Sequence, residues 1–556
     1  MTRRGAWACL AAFVLLAGAG ACGAGGGASD SQGIDLADVV DVPEHPDVPE
    51  VADVTDVPDA ALDAPDDTPA ADLPPDVPVD APFDVPSDVA PDLPWAPASP
   101  GGFRRIGDAV VDEAGRSVIL HGVNASNVAK YQPDHLTWET ASDFQALAAA
   151  GFNNVRLLTF WGAVMPDEGV IDTVYLDALA QRVQWAADAG LLVILDMHQD
   201  IYGFGFGDNG APAWACDAAN YAAYVPKEPW YLNYLSPQVR ACFDRFYADD
   251  VLFARFTDAW LALALRFKDH PGVLGFDLLN EPNPGTFEAS RFVPDLWQPR
   301  QEQLAAAMAG VAPDRLVYFQ GATMLAYGVV DEFVPSPEPR VAFAPHYYLP
   351  TIHDGGVYDH DASIDFIDAA FDAVATSAAN LGGVPVWMGE WGGPTAIPGF
   401  DRYLEDVLSR FVQHRWSWAV YSDDRTNNDG FGIRNLDGTF NPMVVQRLGH
   451  PHARRVPGPI HRQSLVFESD GRQTYQAAFP WSSTASALEG WSGPTVVGGA
   501  TTCLLTPPGG VATPCDTFPC AQRSEHTAGV LRACAPPDSA PGEWVVDLQW
   551  TPVVVP

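Results

Sequence analysis

Basic side chains are scarce in this sequence. The chain of 556 residues carries 30 Lys and Arg against 71 Asp and Glu, which gives a formal charge of −41. A nucleic-acid-binding protein needs a basic patch or a basic helix to neutralise phosphates, and the sequence offers neither. The length allows two or more domains with a large core. The composition therefore indicates a soluble, exported protein with no nucleic-acid partner.

Three other signals are also missing. The apolar run near the start is too short and too rich in alanine for a confident membrane span. No glycine-rich phosphate turn follows an early strand, which disfavours an open doubly wound sheet. No CxxC pair occurs among the C-terminal cysteines, which disfavours a zinc site there.

Residues 1–22 are predicted to be an export signal. Arg3 and Arg4 are followed by an apolar stretch and then by small residues up to Cys22. The segment LAGAGAC at 16–22 resembles a bacterial lipobox, which implies that Cys22 is the lipidated first residue of the mature protein. We expect a lipoprotein of the cell envelope or cell surface that is anchored to the membrane through Cys22. Ordinary signal cleavage, with secretion, is the alternative.

Residues 23–100 are predicted to be a disordered linker rich in Asp and Pro. Residues 29–100 contain 19 acidic residues and no Lys or Arg, and acids recur at every third position from Asp35 to Asp59. The prolines exclude a helix, whereas polyproline II has three residues per turn and would align the acids along one edge. A stiff spacer and plain low-complexity disorder both predict no fold here.

From Gly101 onward the composition becomes globular, and apolar runs alternate with helical patterns such as 176–190 and 248–267. Continuous apolar strands separated by helices indicate parallel pairing with both faces covered. Eight such units predict a closed (β/α)8 barrel over residues 101–450. The candidate strands are residues 117–124, 153–160, 191–198, 273–280, 315–320, 341–346, 384–390 and 416–421.

Two glutamates follow strands of this predicted barrel. Glu281 comes directly after the fourth strand, and Glu390 ends the seventh. The chemistry of such barrels takes place at the carboxyl ends of the strands, where residues of strands four and seven face each other across the mouth. Two carboxyl groups about 5 to 5.5 Å apart can cleave a glycoside with retention of configuration. Each glutamate alone would be read as a surface charge.

The motifs around these glutamates are similar to those of a known family. The sequence NEP at 280–282 and Glu390 within VWMGEWGG resemble glycoside hydrolase family 5. The segments LDMHQDIYG (195–203), GDNGAPAWAC (207–216) and APHYYLP (344–350) are similar to its endoglycoceramidase branch. The resemblance implies a retaining β-glycosidase that cleaves a sugar from a lipid aglycone. An endo-β-glucanase and a non-catalytic glycan-binding lipoprotein are the alternatives, and the protein is expected to be a monomer.

The resemblance also implies roles for individual residues. Glu281 corresponds to the general acid/base and Glu390 to the nucleophile. Asn280 would hydrogen-bond the sugar 2-hydroxyl, a contact that strengthens as charge develops at the anomeric carbon. Arg156 would keep the nucleophile ionised by its opposite charge.

Further residues are expected to bind the sugar. His198, His346 and Tyr348 would line the first sugar subsite, and Lys130 and Asp200 would contact outer hydroxyl groups.

On strand eight, the ring that stacks on the sugar is expected to be Trp418, with Tyr421 as the alternative. Asp196 and His198 lie two residues apart, and no third ligand has suitable spacing, so neither a metal nor another cofactor is expected.

Residues 199–247 form a long insertion after the third strand. Its rings make either a small core of their own or a wall for the sugar or an apolar aglycone. Cys216 and Cys242 could be joined in an oxidising compartment. The aromatic residues of the insertion are Tyr202, Phe204, Phe206, Trp214, Tyr221, Tyr224, Trp230, Tyr231, Tyr234, Phe243, Phe246 and Tyr247.

Residues 456–556 contain short apolar runs separated by turn residues, which predict a β-sandwich. Its four cysteines allow three pairings, and the sequence does not choose among them. They are Cys503, Cys515, Cys520 and Cys534.

Overall fold

The structure is a computed structural model, and it describes residues 102–322, 329–425, 430–481, 487–493, 499–518, 530–535 and 542–552. The predicted export signal, Cys22, the predicted linker and Cys520 lie outside these residues. Three short antiparallel strands begin the described chain: β1 (Arg104–Ile106), β2 (Ala109–Val111) and β3 (Ser117–Val118).

An eight-stranded parallel sheet follows. The strands from β4 to β13 are, in chain order, β4 (His121–Ala125), β5 (Asn154–Thr159), β6 (Leu192–Met197), β7 (Val273–Asp277), β8 (Leu316–Phe319), β9 (Val341–Phe343), β10 (His346–Tyr347), β11 (Trp387–Met388), β12 (Glu390–Trp391) and β13 (Ser417–Val420). The sheet order is β11-β13-β4-β5-β6-β7-β8-β9, and β10 pairs separately with β12.

The sheet closes on itself, which confirms the predicted (β/α)8 barrel. Phe343 of β9 donates its N–H to the carbonyl of Pro385 at 2.9 Å, and Phe343 and Val386 form a parallel bridge beside β11. Strands such as β5 and β7 are buried along their whole length. This is expected when helices cover the outer face of each strand and side chains in the barrel interior cover the inner face. The first predicted strand is divided, because Ser117 and Val118 belong to β3 and the barrel strand starts at His121.

Helices surround the barrel, and side-chain caps fix several of their first residues. The predicted helix 176–190 starts earlier, at Thr173, because the Asp172 carboxylate accepts hydrogen bonds from the N–H groups of Val174 and Tyr175. The helices are α1 (Ala141–Ala150), α2 (Trp161–Val164), α3 (Thr173–Asp188), α4 (Ala218–Ala223), α5 (Pro237–Ala248), α6 (Asp250–Phe267), α7 (Ala289–Phe292), α8 (Gln298–Ala309), α9 (Pro350–His353), α10 (His360–Asn380), α11 (Phe400–His414) and α12 (Pro442–Leu448).

The lower part of the barrel interior is filled with side chains. Leu120, Ile194, Leu274, Tyr318 and Trp387 belong to one buried cluster, against which side chains of the first strands also pack. The filled interior leaves the carboxyl ends of the strands as the place for chemistry.

The C-terminal part forms a β-sandwich, as predicted. Its strands are β14 (His452–Val456), β15 (Arg462–Phe467), β16 (Gln473–Pro480), β17 (Leu488–Trp491), β18 (Gly499–Thr506), β19 (Thr513–Pro514), β20 (Val530–Ala533) and β21 (Glu543–Pro552). One sheet has the order β1-β2-β3-β14-β17-β20 and the other β15-β16-β21-β18-β19. In β21, Trp544, Val546, Leu548 and Trp550 are buried and alternate with partly exposed residues, which is the pattern of a strand with one face in a core.

The strands before the barrel thus belong to the sandwich, because Val118 of β3 pairs with Arg455 of β14. The division of the chain at 450–456 stays a prediction, and the structure adds residues 104–118 to the C-terminal sheet.

Two disulfide bonds join described residues. The first, Cys216–Cys242, closes the insertion as expected. The second is Cys503–Cys515, and Cys534 is also disulfide-bonded. Among the helices of the described residues, none has the length and apolar character that crossing a membrane requires.

Candidate active site

The structure brings Glu281 and Glu390 together at the carboxyl end of the barrel. Glu281 lies in the loop after β7, and Glu390 is the first residue of β12, in register with His346 of β10. A carboxylate oxygen of Glu281 and one of Glu390 lie within 4.8 Å of each other. This proximity suits retention, because inverting enzymes separate the two groups by about 6.5 to 9.5 Å to admit a water molecule.

Glu390 is buried and held in one orientation. Its Oε1 accepts a hydrogen bond from Arg156 Nη1 at 2.5 Å, and its Oε2 accepts one from the Tyr348 hydroxyl at 2.9 Å. Burial alone would raise the pKa of Glu390, but its interactions with His346 and with the positive charge of Arg156 outweigh burial and lower the pKa to about 2. An ionised, oriented carboxylate is what a nucleophile at an anomeric carbon requires.

Arg156 is the centre of a buried polar network. Besides Glu390, its guanidinium contacts Asp196 at 2.8 Å, Asp277 at 2.9 Å and the side-chain oxygen of Asn124 at 3.0 Å. Burial raises the pKa of Asp277 to about 6 against the opposing charge of Arg156. The network fixes the guanidinium plane and therefore the position of Glu390.

Asn280 and Glu281 are consecutive in the chain, but their side chains contact different residues. The Asn280 side chain accepts from Arg156 Nη2 at 2.9 Å and donates to the carbonyl of Gln199 at 3.0 Å. Glu281 is partly exposed, and its Oε1 lies 2.8 Å from His346 Nδ1. The same His346 nitrogen lies 3.7 Å from Glu390 Oε2, so this imidazole stands between the two carboxylates.

A second polar group forms one wall of the site. Lys130 Nζ lies 2.8 Å from Asp200 Oδ2, and Asp200 Oδ2 also accepts from Asn209 at 2.9 Å. His198 Nδ1 lies 2.7 Å from Asp196, while its Nε2 is buried with no hydrogen-bond partner. Burial and Lys130 act to lower the pKa of His198, but Asp196 and Asp200 together outweigh them and raise it. Buried polar atoms of this kind are suited to sugar hydroxyl groups.

The ring predicted on strand eight needs correction. Trp418 is completely buried and packs on His121 and Phe411. The next residue, Ala419, belongs to the cluster that fills the barrel interior, so the Trp418 side chain lies on the outer face of the strand. Tyr421, the alternative, lies at the site, because Lys130 Nζ is 5.2 Å from its ring centre. Side chains three residues apart on a strand point to opposite faces, so only one of the two can reach the sugar.

The structure shows a small core within the aromatic insertion, and the wall for a sugar or an apolar aglycone stays a prediction. Most of its rings pack inside; for example, Trp214 stands edge to face against Trp161 and donates to the carbonyl of Met165 at 3.3 Å. Trp230 and Tyr231 remain 44% and 43% exposed. They are linked to the site through Tyr234, whose hydroxyl lies 3.4 Å from Gln199 Nε2.

Two groups of described side chains bring three possible metal ligands within 4.8 Å. One consists of Glu281, His346 and Glu390, the reacting centre itself. The other consists of His121, His450 and His452, which are buried, and the ring centroids of His121 and His452 lie 3.7 Å apart with their planes tilted by 30°. The absence of a metal stays a prediction.

Several residues at the site were not predicted as site residues from the sequence. Asn124, Asp277 and Gln320 all contact predicted site residues. Asp277 ends β7 and so stands at the edge where the chemistry was expected, which is the one signal that could have found it.

Comparisons with known proteins agree with this geometry. Residues 111–426 match the model of the family described as Cellulase (glycosyl hydrolase family 5). The chain belongs to glycoside hydrolase family 5. It is 36% identical to endoglycoceramidase I of Rhodococcus hoagii over 391 residues, which cover 66% of this chain and 74% of that protein. It is 27% identical to an endoglycoceramidase of Cyanea nozakii over 280 residues, 43% of this chain and 55% of that one.

A solved structure is similar over its whole length. Endo-glycoceramidase II from Rhodococcus sp., in a complex with ganglioside GM3, superposes with a TM-score of 0.69 at 26% identity. The match covers 81% of this chain and all of that one. The sequence resemblance to the endoglycoceramidase branch is thus confirmed, and the chain is a retaining glycoside hydrolase.

Proposed function

We propose that this glycosidase hydrolyses the β-glycosidic bond between a sugar or oligosaccharide and a lipid aglycone. The similarity to endoglycoceramidases carries this proposal. The exposed rings of Trp230 and Tyr231 add to it, because they offer an apolar surface that reaches the acid/base side through Tyr234 and Gln199. Gln199 Nε2 in turn donates to the carbonyl of Glu281 at 3.0 Å.

The reaction assigns a separate role to each carboxyl group. Glu281 donates a proton to the glycosidic oxygen while a carboxylate oxygen of Glu390 attacks the anomeric carbon, and the bond to the lipid alcohol breaks. Glu281 then takes a proton from water, whose oxygen bonds to the anomeric carbon as the ester to Glu390 breaks. Asn280 holds the 2-hydroxyl, while His198, Lys130 and Asp200 bind further hydroxyl groups.

A comparison of leaving groups tests the substrate class. Burying a lipid chain contributes about 0.8 kcal/mol per methylene, so six methylenes are worth about 5 kcal/mol before ordering costs. We expect a glycosphingolipid in detergent to be cleaved with far higher kcat/KM than the methyl glycoside of the same sugar. Equal values would contradict the lipid hypothesis and favour a soluble endo-β-glucanase.

We also propose that the protein is exported as a monomeric lipoprotein and anchored through Cys22. The lipobox-like segment and the disulfide bonds of the folded part support export. Cys22→Ser should release the protein from membranes, because the acyl chains would be its anchor. Membrane retention of this variant in a fractionation experiment would contradict the proposal.

A further inference from the structure

Gln320 occupies a fixed position next to the predicted acid/base. It directly follows β8 and is buried. Its N–H donates to Gln301 Oε1 at 2.8 Å, and its carbonyl accepts from Trp297 Nε1 at 2.9 Å and from Gln301 Nε2 at 3.1 Å. These bonds hold the main chain of Gln320 on both sides. Its side chain contacts three groups of the site, namely the main chain of Glu281 and the side chains of Asp277 and His346.

Its contacts define which way the Gln320 amide faces. The N–H of Glu281 donates to Gln320 Oε1 at 3.0 Å. A main-chain N–H can only donate, so the amide oxygen must be on that side. The Nε2 atom therefore faces Asp277, whose two oxygens accept at 2.9 Å each, and His346 Nε2, at 3.4 Å.

This orientation selects one tautomer of His346. The amide nitrogen of Gln320 has hydrogens to donate and nothing to accept with, so His346 Nε2 must offer its lone pair. The proton of the neutral imidazole then resides on Nδ1, which donates to Glu281 Oε1 at 2.8 Å. Oε1 is thereby occupied, and Oε2 is left to carry the proton that reaches the leaving oxygen.

The main chain of Glu281 also needs support. Its φ of 41° is in the left-handed region, which a residue with a Cβ rarely adopts because of steric strain. Gln320 Oε1 accepts from its N–H at 3.0 Å, and Gln199 Nε2 donates to its carbonyl at 3.0 Å. The two glutamine side chains hold this strained residue from both sides.

We propose that Gln320 is a positioning residue that orients the Glu281 carboxyl group for proton transfer, by fixing both the Glu281 main chain and the tautomer of His346. The inference rests on the proposed role of Glu281 as acid/base. Gln320 itself touches no reacting atom. Its effect is therefore expected only where proton donation limits the rate.

Two glycosides of one sugar separate this role from a structural one. An alkyl glycoside needs acid assistance, whereas a 2,4-dinitrophenyl glycoside does not. For Gln320→Met, which keeps the length and removes the amide, we expect kcat/KM to fall by roughly 10-fold or more on the alkyl glycoside and little on the activated one. The matched control is Gln298→Met, which removes a buried amide that binds the main chain of Val334 and not the site, and it should change both values equally. Equal losses on both glycosides for Gln320→Met would overturn the proposal.

A readout independent of turnover keeps the proposal separate from the proposed function. Nitrogen-15 spectra of the histidine rings report which nitrogen carries the proton, and the His346→Gln variant identifies the signal among 13 histidines. We expect the wild-type ring to be protonated on Nδ1 and the preference to weaken in Gln320→Met. A wild-type proton on Nε2 would overturn the proposal even if glycosides are cleaved. Failure to cleave any glycoside would instead refute the function and leave the tautomer result standing.

Discussion

Arg156 and Glu390 are 234 residues apart in the chain and meet in an ion pair in which the Arg156 side chain is completely buried. The pair joins strand two of the barrel to the end of strand seven. Because Asp196 and Asp277 also contact Arg156, one guanidinium is the shared counter-charge of three carboxyl groups.

Removal of Arg156 should therefore affect both stability and activity. Arg156→Gln leaves buried carboxylates without their counter-charge, so the free energy of unfolding should fall by about 3 to 5 kcal/mol. Denaturant unfolding measures this fall. Arg255→Gln is the control, since Arg255 and its partner Glu168 are exposed and their loss should hardly change stability. A similar result for both variants would contradict the role of the buried network.

The histidines between the barrel and the sandwich should make stability depend on pH. Burial lowers the pKa of His450 from 6.5 to about 4. The unfolded chain therefore binds more protons between these values, so stability is complete above pH 6.5 and falls as the pH drops towards 4. For His450 alone the loss between pH 7.5 and 4.5 is about 2.5 kcal/mol. His450→Gln should show a shallower decrease in unfolding free energy, and an unchanged slope would contradict the assignment.

Tyr421 and Trp418 should respond differently to substitution. Tyr421→Ala removes the ring beside Lys130 at the site, so the KM for a short aryl glycoside should rise while the protein stays folded. Trp418→Ala empties a fully buried position and should lower the free energy of unfolding by about 3 to 5 kcal/mol. Thermal unfolding and steady-state kinetics on both variants check this. A rise in KM for Trp418→Ala alone would restore it as the sugar platform.

Trp230 and Trp214 provide a similar contrast within the insertion. Trp230→Ala should reduce kcat/KM on a lipid glycoside more than on a short aryl glycoside, because the exposed ring is available to an apolar aglycone. Trp214→Ala should reduce both equally, because this ring packs on Trp161 and holds the loop. A uniform loss for Trp230→Ala would mean that it, too, only stabilises the insertion.

The barrel and its two glutamates could be predicted because each leaves a local mark in the sequence. Continuous apolar runs between helical patterns define parallel strands, and the motif around Asn280 and Glu281 places a carboxylate at the end of one of them. The sandwich was predicted from alternation, but the contribution of residues 104–118 to it was not, because strand pairing across more than 300 residues has no local signal.

The finer contacts were beyond the sequence for physical reasons. Trp418 and Tyr421 point to opposite faces of their strand, and since both faces of a barrel strand are buried, the apolar pattern does not reveal which one faces the interior. Gln320 has no motif of its own, and its three partners come from different strands and loops. A neutral amide acquires its role only from the groups that the fold places around it.

The most direct measurement for the central claim is to trap the glycosyl enzyme. In an activated 2-fluoro glycoside, the fluorine slows both steps, but the good leaving group keeps the first step faster than the second. The sugar ester on the nucleophile therefore accumulates and can be located by mass spectrometry of peptides. The account predicts one sugar attached to Glu390 in the peptide that contains VWMGEWGG, and none on Glu390→Gln. A sugar attached to Glu281 or to another residue, or no trapped ester with a glycoside that the enzyme cleaves, would contradict it.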